Sequence, residues 1–378
     1  MEGVEVSFDT QGTDHLTYQS AGVDARRGDD ALKTVLERLR GTWGPRGNVE
    51  LDFGHFANVV TLGPVGVAIS TDSIGTKAIV AQLMGRYDTV GIDCVAINVN
   101  DVLCVGAEPQ AMVDYIAVQQ VNPPVLDGIA KGLAEGALMA GISIVGGESA
   151  QLPELIQGED EGSGFDLAGT CIGTITPGAA ITGSRIHPGD VIIGLTSSGI
   201  HCNGLTLARA AFGITRDKAS AERRDILSKH YPELGSSLGE ELLRPTRIYV
   251  AEVMAMLTGG VDVRGIAHIT RDGFLNLPRL QADVGYVIDY LPEPHPIFRI
   301  VQARGSIPDP EMFFVFNMGI GLCLIVPEAD GDTALRIAID HGADAYAIGH
   351  VTEDVSRAVD ITGPRLRGRR GEGFQRIS

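Results

Sequence analysis

A carboxylate, a glycine and a lysine stand close together directly after an apolar run. In STDSIGTK (70–77), Asp72 could reach a metal ion, Gly75 would let the backbone approach a phosphate, and Lys77 offers a positive charge. Phosphoryl transfer needs such parts, because its catalysis depends on Mg²⁺, cations and backbone donors around the moving group. An ordinary strand, turn and helix with a capping aspartate explains the segment equally well.

Four polar residues interrupt the apolar segment TVGIDCVAINVNDVLCVGA (89–107), which predicts a buried helix. Asp93, Asn98, Asn100 and Asp101 fall within about half of the circumference of a helix that turns roughly 100° per residue, so they can face one cavity. Buried carboxylates need partners, and a divalent cation is a natural one. A capping or interdomain hydrogen-bond network is the alternative.

Two further segments place small polar residues after strands. VGGES (145–149) would bring a carboxylate to the end of a sheet, although turn chemistry alone explains it. TSSGIHCNG (196–204) joins a strand to a helix, where backbone and hydroxyl donors can bind a phosphate, although a single loop histidine is more often structural. The candidate ligands here are Gly146, Gly147, Glu148, Ser198, His201 and Asn203.

Several common enzyme classes are not indicated, because the chain has no GxxxxGK[ST], HExxH or GxGxxG sequence. Its five cysteines are scattered and odd in number, which predicts reduced thiols. The formal charge of −18 disfavours nucleic acid and anionic membranes as partners. No signal peptide or long apolar run is present, so we expect a soluble, cytoplasmic protein.

The elements that would position these residues predict a mixed α/β protein. A length of 378 residues favours two domains. We expect strands at 65–70 and 113–118, a strand followed by a loop within 189–199, and helices at 89–107, 123–141 and 205–212. Turn residues accumulate near residue 180, which predicts an N-terminal α/β domain (1–180), a C-terminal α/β domain (181–363) and a basic flexible tail (364–378).

Taken in order, eight segments resemble the aminoimidazole ribonucleotide synthetase family, the ATP-dependent cyclo-ligases of purine biosynthesis. The resemblance spans nearly the whole chain, and the order and spacing of the segments make it specific. The segments are AGVD (21–24), TDSIGTK (71–77), DTVGIDCVAINVNDVLCVGAEP (88–109), GGESA (146–150), SSGIHCNG (197–204), LLRPTRIYV (242–250), AHIT (267–270) and FNMGIGL (316–322).

The resemblance implies a homodimer in which the N-terminal sheets join into a barrel. It implies that ATP phosphorylates the amide oxygen of formylglycinamidine ribonucleotide, after which an internal amine closes the ring and releases phosphate. Asp72 and Asp101 would hold Mg²⁺, and Lys77, His201 and His268 would be catalytic. The implied ATP-binding residues are Ser70, Thr71, Gly75, Thr76, Asn100, Gly146, Gly147, Glu148, Ser198 and Asn203.

The sequence departs from the family pattern at several positions. Ser73 replaces a glycine, Gln151 replaces a carboxylate, and Arg271 and Asp272 replace two glycines; the glycine-rich loop reads FGHFAN (53–58). These changes leave open a paralogue that activates another acceptor, similar to selenophosphate synthetase, thiamine-monophosphate kinase or the hydrogenase-maturation dehydratase. A nucleotide-binding protein without catalysis is the other alternative.

Overall fold

The computed structural model describes residues 15–23, 25–44 and 48–377, which form helices and strands in mixed order. The helices are α1 (Ala25–Arg40), α2 (Lys77–Met84), α3 (Asp88–Leu103), α4 (Pro123–Ala140), α5 (Leu205–Ala211), α6 (Ser220–Leu227), α7 (Leu238–Leu242), α8 (Val250–Thr258), α9 (Pro296–Gly305), α10 (Asp309–Val315) and α11 (Gly331–Asp340). Two 3₁₀ helices span Gly273–Arg279 and Glu328–Asp330.

The strands are β1 (Asn48–Val49), β2 (Asn58–Leu62), β3 (Val65–Ser73), β4 (Glu108–Val118), β5 (Ser143–Gln151), β6 (Phe165–Ile175), β7 (Val191–Thr196), β8 (His230–Tyr231), β9 (Ser236–Ser237), β10 (Gly265–His268), β11 (Gly285–Ile288), β12 (Ile320–Val326), β13 (Ala345–Thr352), β14 (Val359–Ile361), β15 (Leu366–Arg369) and β16 (Gly373–Arg376). The α/β class is therefore confirmed. The predicted strands and helices named above all form, with ends shifted by a few residues.

The first half of the chain builds a six-stranded sheet in the order β1-β2-β3-β6-β4-β5. Neighbouring strands run antiparallel except β4 and β5, which are parallel and joined through α4. One face packs against α3, and along β3 and β6 buried residues alternate with exposed ones. This alternation is the mark of a sheet with one covered face.

The second half builds an eight-stranded sheet in the order β10-β12-β7-β13-β11-β14-β15-β16. Its strand β12 is buried at every position, so it reads as an unbroken apolar run. Each large sheet uses strands from one half of the chain only, and the expected boundary at residue 180 falls between them. The hydrophobic cores do not divide there, because one core joins residues 51–171 with residues 200–248 and 297–316.

Helix α3 lies between the two halves and contacts β3, β6, α4, α8 and β10. It can approach α4 closely because two glycines meet at the crossing. A Cβ on Gly132 would stand 1.7 Å from the carbonyl oxygen of Asp88, and one on Gly91 would stand 2.4 Å from that of Ile129. The sequence therefore fixes α3 tightly at the centre of the molecule.

The flexible tail predicted for residues 364–378 is wrong over most of its length, because β15 and β16 extend the large sheet. Leu366 and Phe374 are buried in the second core, and Arg367 pairs with Asp354 and Asp360. The prediction failed because the strands are short and their few buried residues stand among arginines and glycines, whose composition is typical of a solvated tail. Two other predicted loops are strand instead, since β3 continues through Ser73 and β5 through Glu148.

Candidate active site

A cleft of about 430 Å³ opens between the two halves of the chain. Its walls come from the loop 52–58, from β3, from the C-terminal turn of α3 and from the segments that carry Asn203, Thr270 and Arg279. Predicted residues that line it are Ser70, Thr71, Asp72, Asp101 and Asn203. Residues far apart in sequence thus meet at one place, as expected for ligand sites between domains.

Asp72 stands near the end of β3, and Asn98 of α3 fixes its backbone. The Asn98 Oδ1 atom accepts a hydrogen bond from the Asp72 amide at 3.0 Å, and its Nδ2 atom donates to the Asp72 carbonyl at 3.3 Å. Although the residue as a whole is exposed, the cleft partly desolvates its carboxyl group. Burial, followed by repulsion from Asp101, raises the pKa of Asp72 to about 6.

Asp101 lies at the end of α3 and is oriented by His268. The two side chains are joined by a hydrogen bond of 2.9 Å between Nδ1 of His268 and Oδ1 of Asp101. The hydroxyl of Ser70 lies 3.5 Å from the other carboxylate oxygen. His268 is buried, and its Nε2 atom has no hydrogen-bond partner among the described residues. His268 therefore positions a carboxylate, in the way that outer hydrogen bonds orient metal ligands.

Two residues of the cleft were missed by the sequence analysis. Arg279 donates to the carbonyl oxygens of Gly54 and His55 at 2.9 and 2.7 Å, and its guanidinium lies 3.8 Å from the centre of the Phe56 ring. Burial lowers the pKa of Arg279. The available signal was a lone charge in the otherwise uncharged stretch 273–281; His55 gave a weaker one, within FGHFAN.

Lys77, which the resemblance places among the catalytic residues, is fully buried and paired with Asp93. Its Nζ atom lies 2.8 Å from Oδ2 and 3.0 Å from Oδ1 of Asp93, and it donates to the Arg244 carbonyl at 2.7 Å. The amide and hydroxyl of Thr246 also donate to Asp93. The ammonium group thus makes two hydrogen bonds and an ion pair in the interior, and Lys77 does not line the cleft.

Asn100 and His201 also serve the interior rather than the cleft. Asn100 donates to the Arg247 carbonyl and accepts from the Tyr249 amide, so both ends of its side chain are used. His201 is buried and accepts backbone N–H groups of Ser198 and Arg247 at Nε2. Burial lowers its pKa well below the usual value. For Asn100, the pattern of the helix did not distinguish hydrogen bonding in the interior from ligand binding.

Other predicted residues lie away from the cleft. Gly146, Gly147 and Glu148 are on β5, which three neighbouring strand spacings, or roughly 14 Å, separate from β3. Thr76 contacts Thr206 through their hydroxyls at 3.0 Å, and Gly75 has the positive φ of 58° that its turn requires. Ser198 donates to the Pro245 carbonyl. None of these residues lines the cleft.

Arg271 and Asp272, which replace family glycines, form an ion pair with each other. The Nε–Oδ1 distance is 3.8 Å, and both side chains are partly exposed. Thr270 lines the cleft, whereas Arg271 is held beside Asp272.

Asp24 of the AGVD segment lies outside the described residues.

The cleft offers two carboxylates to a cation rather than a complete protein cage. Among the described residues, no group of three or more His, Cys, Asp or Glu side chains is arranged to hold a metal ion. Two carboxylates fit Mg²⁺, which usually binds one or two such ligands together with substrate phosphates and water. The raised pKa of Asp72 indicates that its negative charge lacks sufficient compensation, and a divalent cation would supply it.

The fold is shared with several solved structures. The chain superposes on "AaThiL complexed with AMPPCP and TMP" with a TM-score of 0.59 at 14% identity, covering 98% of this chain and 100% of that one. It superposes on the "HypE-HypF complex" structure with a TM-score of 0.60 at 18% identity, covering 91% and 98%. At these identities the likeness concerns the fold alone. None of the described helices is both long and apolar enough to span a bilayer.

Sequence comparison gives the family. The description "AIR synthase related protein, N-terminal domain" matches residues 54–175, and "AIR synthase related protein, C-terminal domain" matches residues 187–361. Phosphoribosylformylglycinamidine cyclo-ligase of Methanothermobacter thermautotrophicus is 48% identical over 89% of this chain and 95% of its own length. That of Thermococcus kodakarensis is 44% identical over 93% and 100%. The chain therefore belongs to the AIR synthase related family.

Proposed function

We propose that the protein catalyses the ATP-dependent cyclisation of formylglycinamidine ribonucleotide to aminoimidazole ribonucleotide, with release of ADP and phosphate. The observation that carries this assignment is the 48% identity to a cyclo-ligase over most of both chains. The cleft supports it, because Asp72 and Asp101 offer paired carboxylates beside the cationic Arg279. Relatives with this name at 40–48% identity favour the cyclo-ligase over a paralogue.

The reaction divides into two steps, phosphoryl transfer and ring closure. The amide oxygen of the substrate attacks the γ-phosphorus of ATP, and the bond between that phosphorus and the β,γ-bridging oxygen breaks to release ADP. An internal amine then attacks the activated carbon, the ring closes, and the transferred group leaves as phosphate with the electron pair of the C–O bond. Phosphoryl transfer needs positioning and charge compensation more than covalent help from the protein.

Asp72 and Asp101 would hold Mg²⁺ in this cleft. When bound, the cation neutralises phosphate charge that would otherwise build up during transfer. The chain's own contribution is to preorganise the two carboxylates: Asn98 fixes the backbone of Asp72, and His268 orients Asp101. Ser70, Thr71 and Asn203 are the predicted residues that remain as polar ligands within reach of a bound nucleotide or substrate.

An ADP-release assay tests the assignment. Purified protein with MgATP and formylglycinamidine ribonucleotide should release ADP and form the aminoimidazole product in equal amounts. ADP release alone would also arise from simple ATP hydrolysis, so the cyclised product must be measured directly. Product formation only with a different amide acceptor would overturn the assignment.

We also propose that the protein is a homodimer whose six-stranded sheets face each other. The face of the sheet opposite α3 carries exposed apolar side chains on three adjacent strands. Ile69 and Ile172 stand directly opposite each other on β3 and β6, and Val113 and Tyr115 continue the row on β4. A contiguous exposed apolar surface of this kind marks an interaction site. The resemblance to dimeric relatives with a shared barrel names a second copy as the occupant.

Sedimentation velocity at micromolar concentration tests the dimer. The parent should sediment as a dimer, and Ile172→Lys should shift it to a monomer. Leu138→Lys is the matched control, because Leu138 is 84% exposed on α4, in the helical layer on the other side of the sheet. A monomeric parent, or the same shift in both variants, would count against the proposal.

The five free cysteines support a reducing, cytoplasmic location.

A further inference from the structure

A second cavity, of about 360 Å³, lies on the other side of the loop 52–55 from the carboxylate pair. We call it the arginine pocket, because Arg279, Arg357, Arg369 and Arg370 line it. The last two come from the hairpin β15–β16, at the end of the chain. Residues 52–55 and Arg279 line both cavities, so the pocket continues the cleft.

Three of these arginines have no carboxylate partner among the described residues. Arg279 donates to the backbone of Gly54 and His55, and Arg357 donates to the carbonyls of Pro278 and Leu280. The Arg370 guanidinium lies beside Gly54, where its nitrogens would be 3.7 and 3.9 Å from a Cβ. Backbone carbonyls orient Arg279 and Arg357 but carry no full charge to neutralise them, and the nearby Asp101 acts on Arg279 from the cleft side.

This arrangement contrasts with the rest of a protein whose formal charge is −18. On the same hairpin, Arg367 pairs with two aspartates and Arg376 pairs with Asp309. The acids near the pocket are already engaged: Asp52 pairs with Arg40, and Glu372 lies 3.8 Å from Arg369. Gathering unpaired cations costs free energy through their mutual repulsion, and a bound anion would offset that cost.

Three residues in the wall have buried polar atoms that lack a hydrogen-bond partner among the described residues. These atoms are both ring nitrogens of His55, the Oγ atom of Ser356 and the Nε atom of Arg357. Burial, with a smaller contribution from Arg279, lowers the pKa of His55 to about 4, so the ring is neutral near pH 7 and can donate one hydrogen bond. Buried polar atoms left unsatisfied in one place point to a ligand that satisfies them.

We infer that the arginine pocket binds a phosphate monoester. Guanidinium groups match the oxygens of a phosphate in charge and in bidentate geometry, and the volume is sufficient for a phosphate with part of a sugar. The phosphate has two possible sources. It belongs to the ribonucleotide substrate of the proposed function, on which that choice rests, or to a separate phosphorylated metabolite that binds next to the cleft.

Calorimetric titration with ribose 5-phosphate tests the site without relying on catalysis. The parent should bind ribose 5-phosphate and should not bind ribose. Arg370→Ala should weaken binding by roughly tenfold or more, on the scale of one lost charge-assisted hydrogen bond. Arg370→Lys keeps the charge but loses the planar guanidinium group that can bind a phosphate bidentately, so it should give an intermediate loss of affinity. Arg370 is exposed, so these variants should fold, as circular dichroism will check.

Arg365→Ala is the matched control, because it removes the same charge at the beginning of the same hairpin from an exposed side chain that does not line the pocket. It should bind ribose 5-phosphate as the parent does. If the parent does not bind ribose 5-phosphate, or if Arg365→Ala weakens binding as much as Arg370→Ala, the inference is wrong.

Steady-state kinetics then separate the two sources of phosphate. If the substrate supplies it, Arg370→Ala raises KM for formylglycinamidine ribonucleotide by about tenfold and leaves KM for ATP unchanged. If a separate metabolite supplies it, both KM values stay at the parental level while ribose 5-phosphate binding is lost. Either result supports the pocket. A protein inactive on formylglycinamidine ribonucleotide would refute the proposed function, and the titration would still decide the pocket.

Discussion

The segment 72–77, at the end of β3 and the start of α2, meets helix α3 at two places, and the two are built in opposite ways. At one, Asp72 and Asp101 face the cleft as like charges, and their repulsion contributes to a raised pKa of Asp72. At the other, Lys77 and Asp93 form a fully buried ion pair, and the ammonium group also donates to the Arg244 carbonyl. Unpaired charge is kept where a ligand can compensate it, and paired charge joins the two halves of the chain.

The buried pair should show the largest effect. Lys77→Met leaves the Asp93 carboxylate uncompensated in the interior, so we expect a loss of about 3–5 kcal/mol in the free energy of unfolding. Urea unfolding at neutral pH measures it. The control is Arg86→Met, because Arg86 pairs with Asp88 at 3.1 Å on the surface. Such a pair contributes at most about 1 kcal/mol, and equal losses in the two variants would contradict the structural role of Lys77.

The carboxylate pair should behave in the reverse manner. Asp72→Asn and Asp101→Asn should each reduce turnover by roughly 10²–10³-fold, on the scale of one lost preorganised electrostatic contact. Neither change should lower the free energy of unfolding as much as Lys77→Met does, because each removes repulsion between like charges. Product formation and thermal unfolding are measured on the same preparations.

Asp127→Asn is the control for these variants, since Asp127 is an exposed acid on α4. It should retain parental turnover and stability. Ordinary activity in both cleft variants would show that the two carboxylates do not hold the metal.

Much of the fold could be predicted from the sequence, because the apolar patterns that mark β3, α3 and α4 are local properties of the chain. It also brought Asp72 and Asp101 to one site, because the resemblance aligned both segments. It could not separate Asp101 from Asp93 or Asn100, which all interrupt the same apolar helix. Their roles depend on what packs against each turn of α3: His268 and Ser70 for Asp101, and the segment 244–249 for the others.

The arginine pocket could not be found from local patterns at all. Arg279 lies in a 3₁₀ helix, Arg357 in a turn and Arg370 in a hairpin, and they meet only when the large sheet is complete. The basic composition of the last residues favoured a solvated tail. The two buried side chains Leu366 and Phe374 were the local sign of a hairpin.

A smaller effect is expected at His55, on the wall shared by the two cavities. Its pKa is about 4 in the folded protein against an ordinary value of 6.5, so between these values the unfolded chain binds more protons than the folded one. Stability from this residue is present above pH 6.5 and is lost as the pH falls towards 4, with a slope of at most about 1.4 kcal/mol per pH unit.

His55→Gln removes this titration, so the comparison uses the difference in unfolding free energy between parent and variant. The difference should be constant above pH 6.5 and should shift against the parent below it. A difference that does not change between pH 7 and pH 4.5 would show that His55 is not held neutral. Urea unfolding across this pH range supplies the measurement.

The smallest effect is expected for Arg271→Gly with Asp272→Gly, which restores the glycines typical of the family. This third charged pair lies at the surface, and its 3.8 Å separation makes it weaker than the buried pair. Asp272 has a φ of 75°, which glycine adopts more readily, so the double variant relieves backbone strain at this position. This gain in stability offsets part of two losses, which are the lost ion pair and the larger conformational entropy of the unfolded chain. Because Thr270 rather than Arg271 lines the cleft, turnover of formylglycinamidine ribonucleotide should stay within about twofold of the parent, on the scale of surface substitutions that change free energies by about 0.5 kcal/mol. A large gain of this activity from a nearly inactive parent would mean that Arg271 selects a different acceptor, and the proposed substrate would then be wrong.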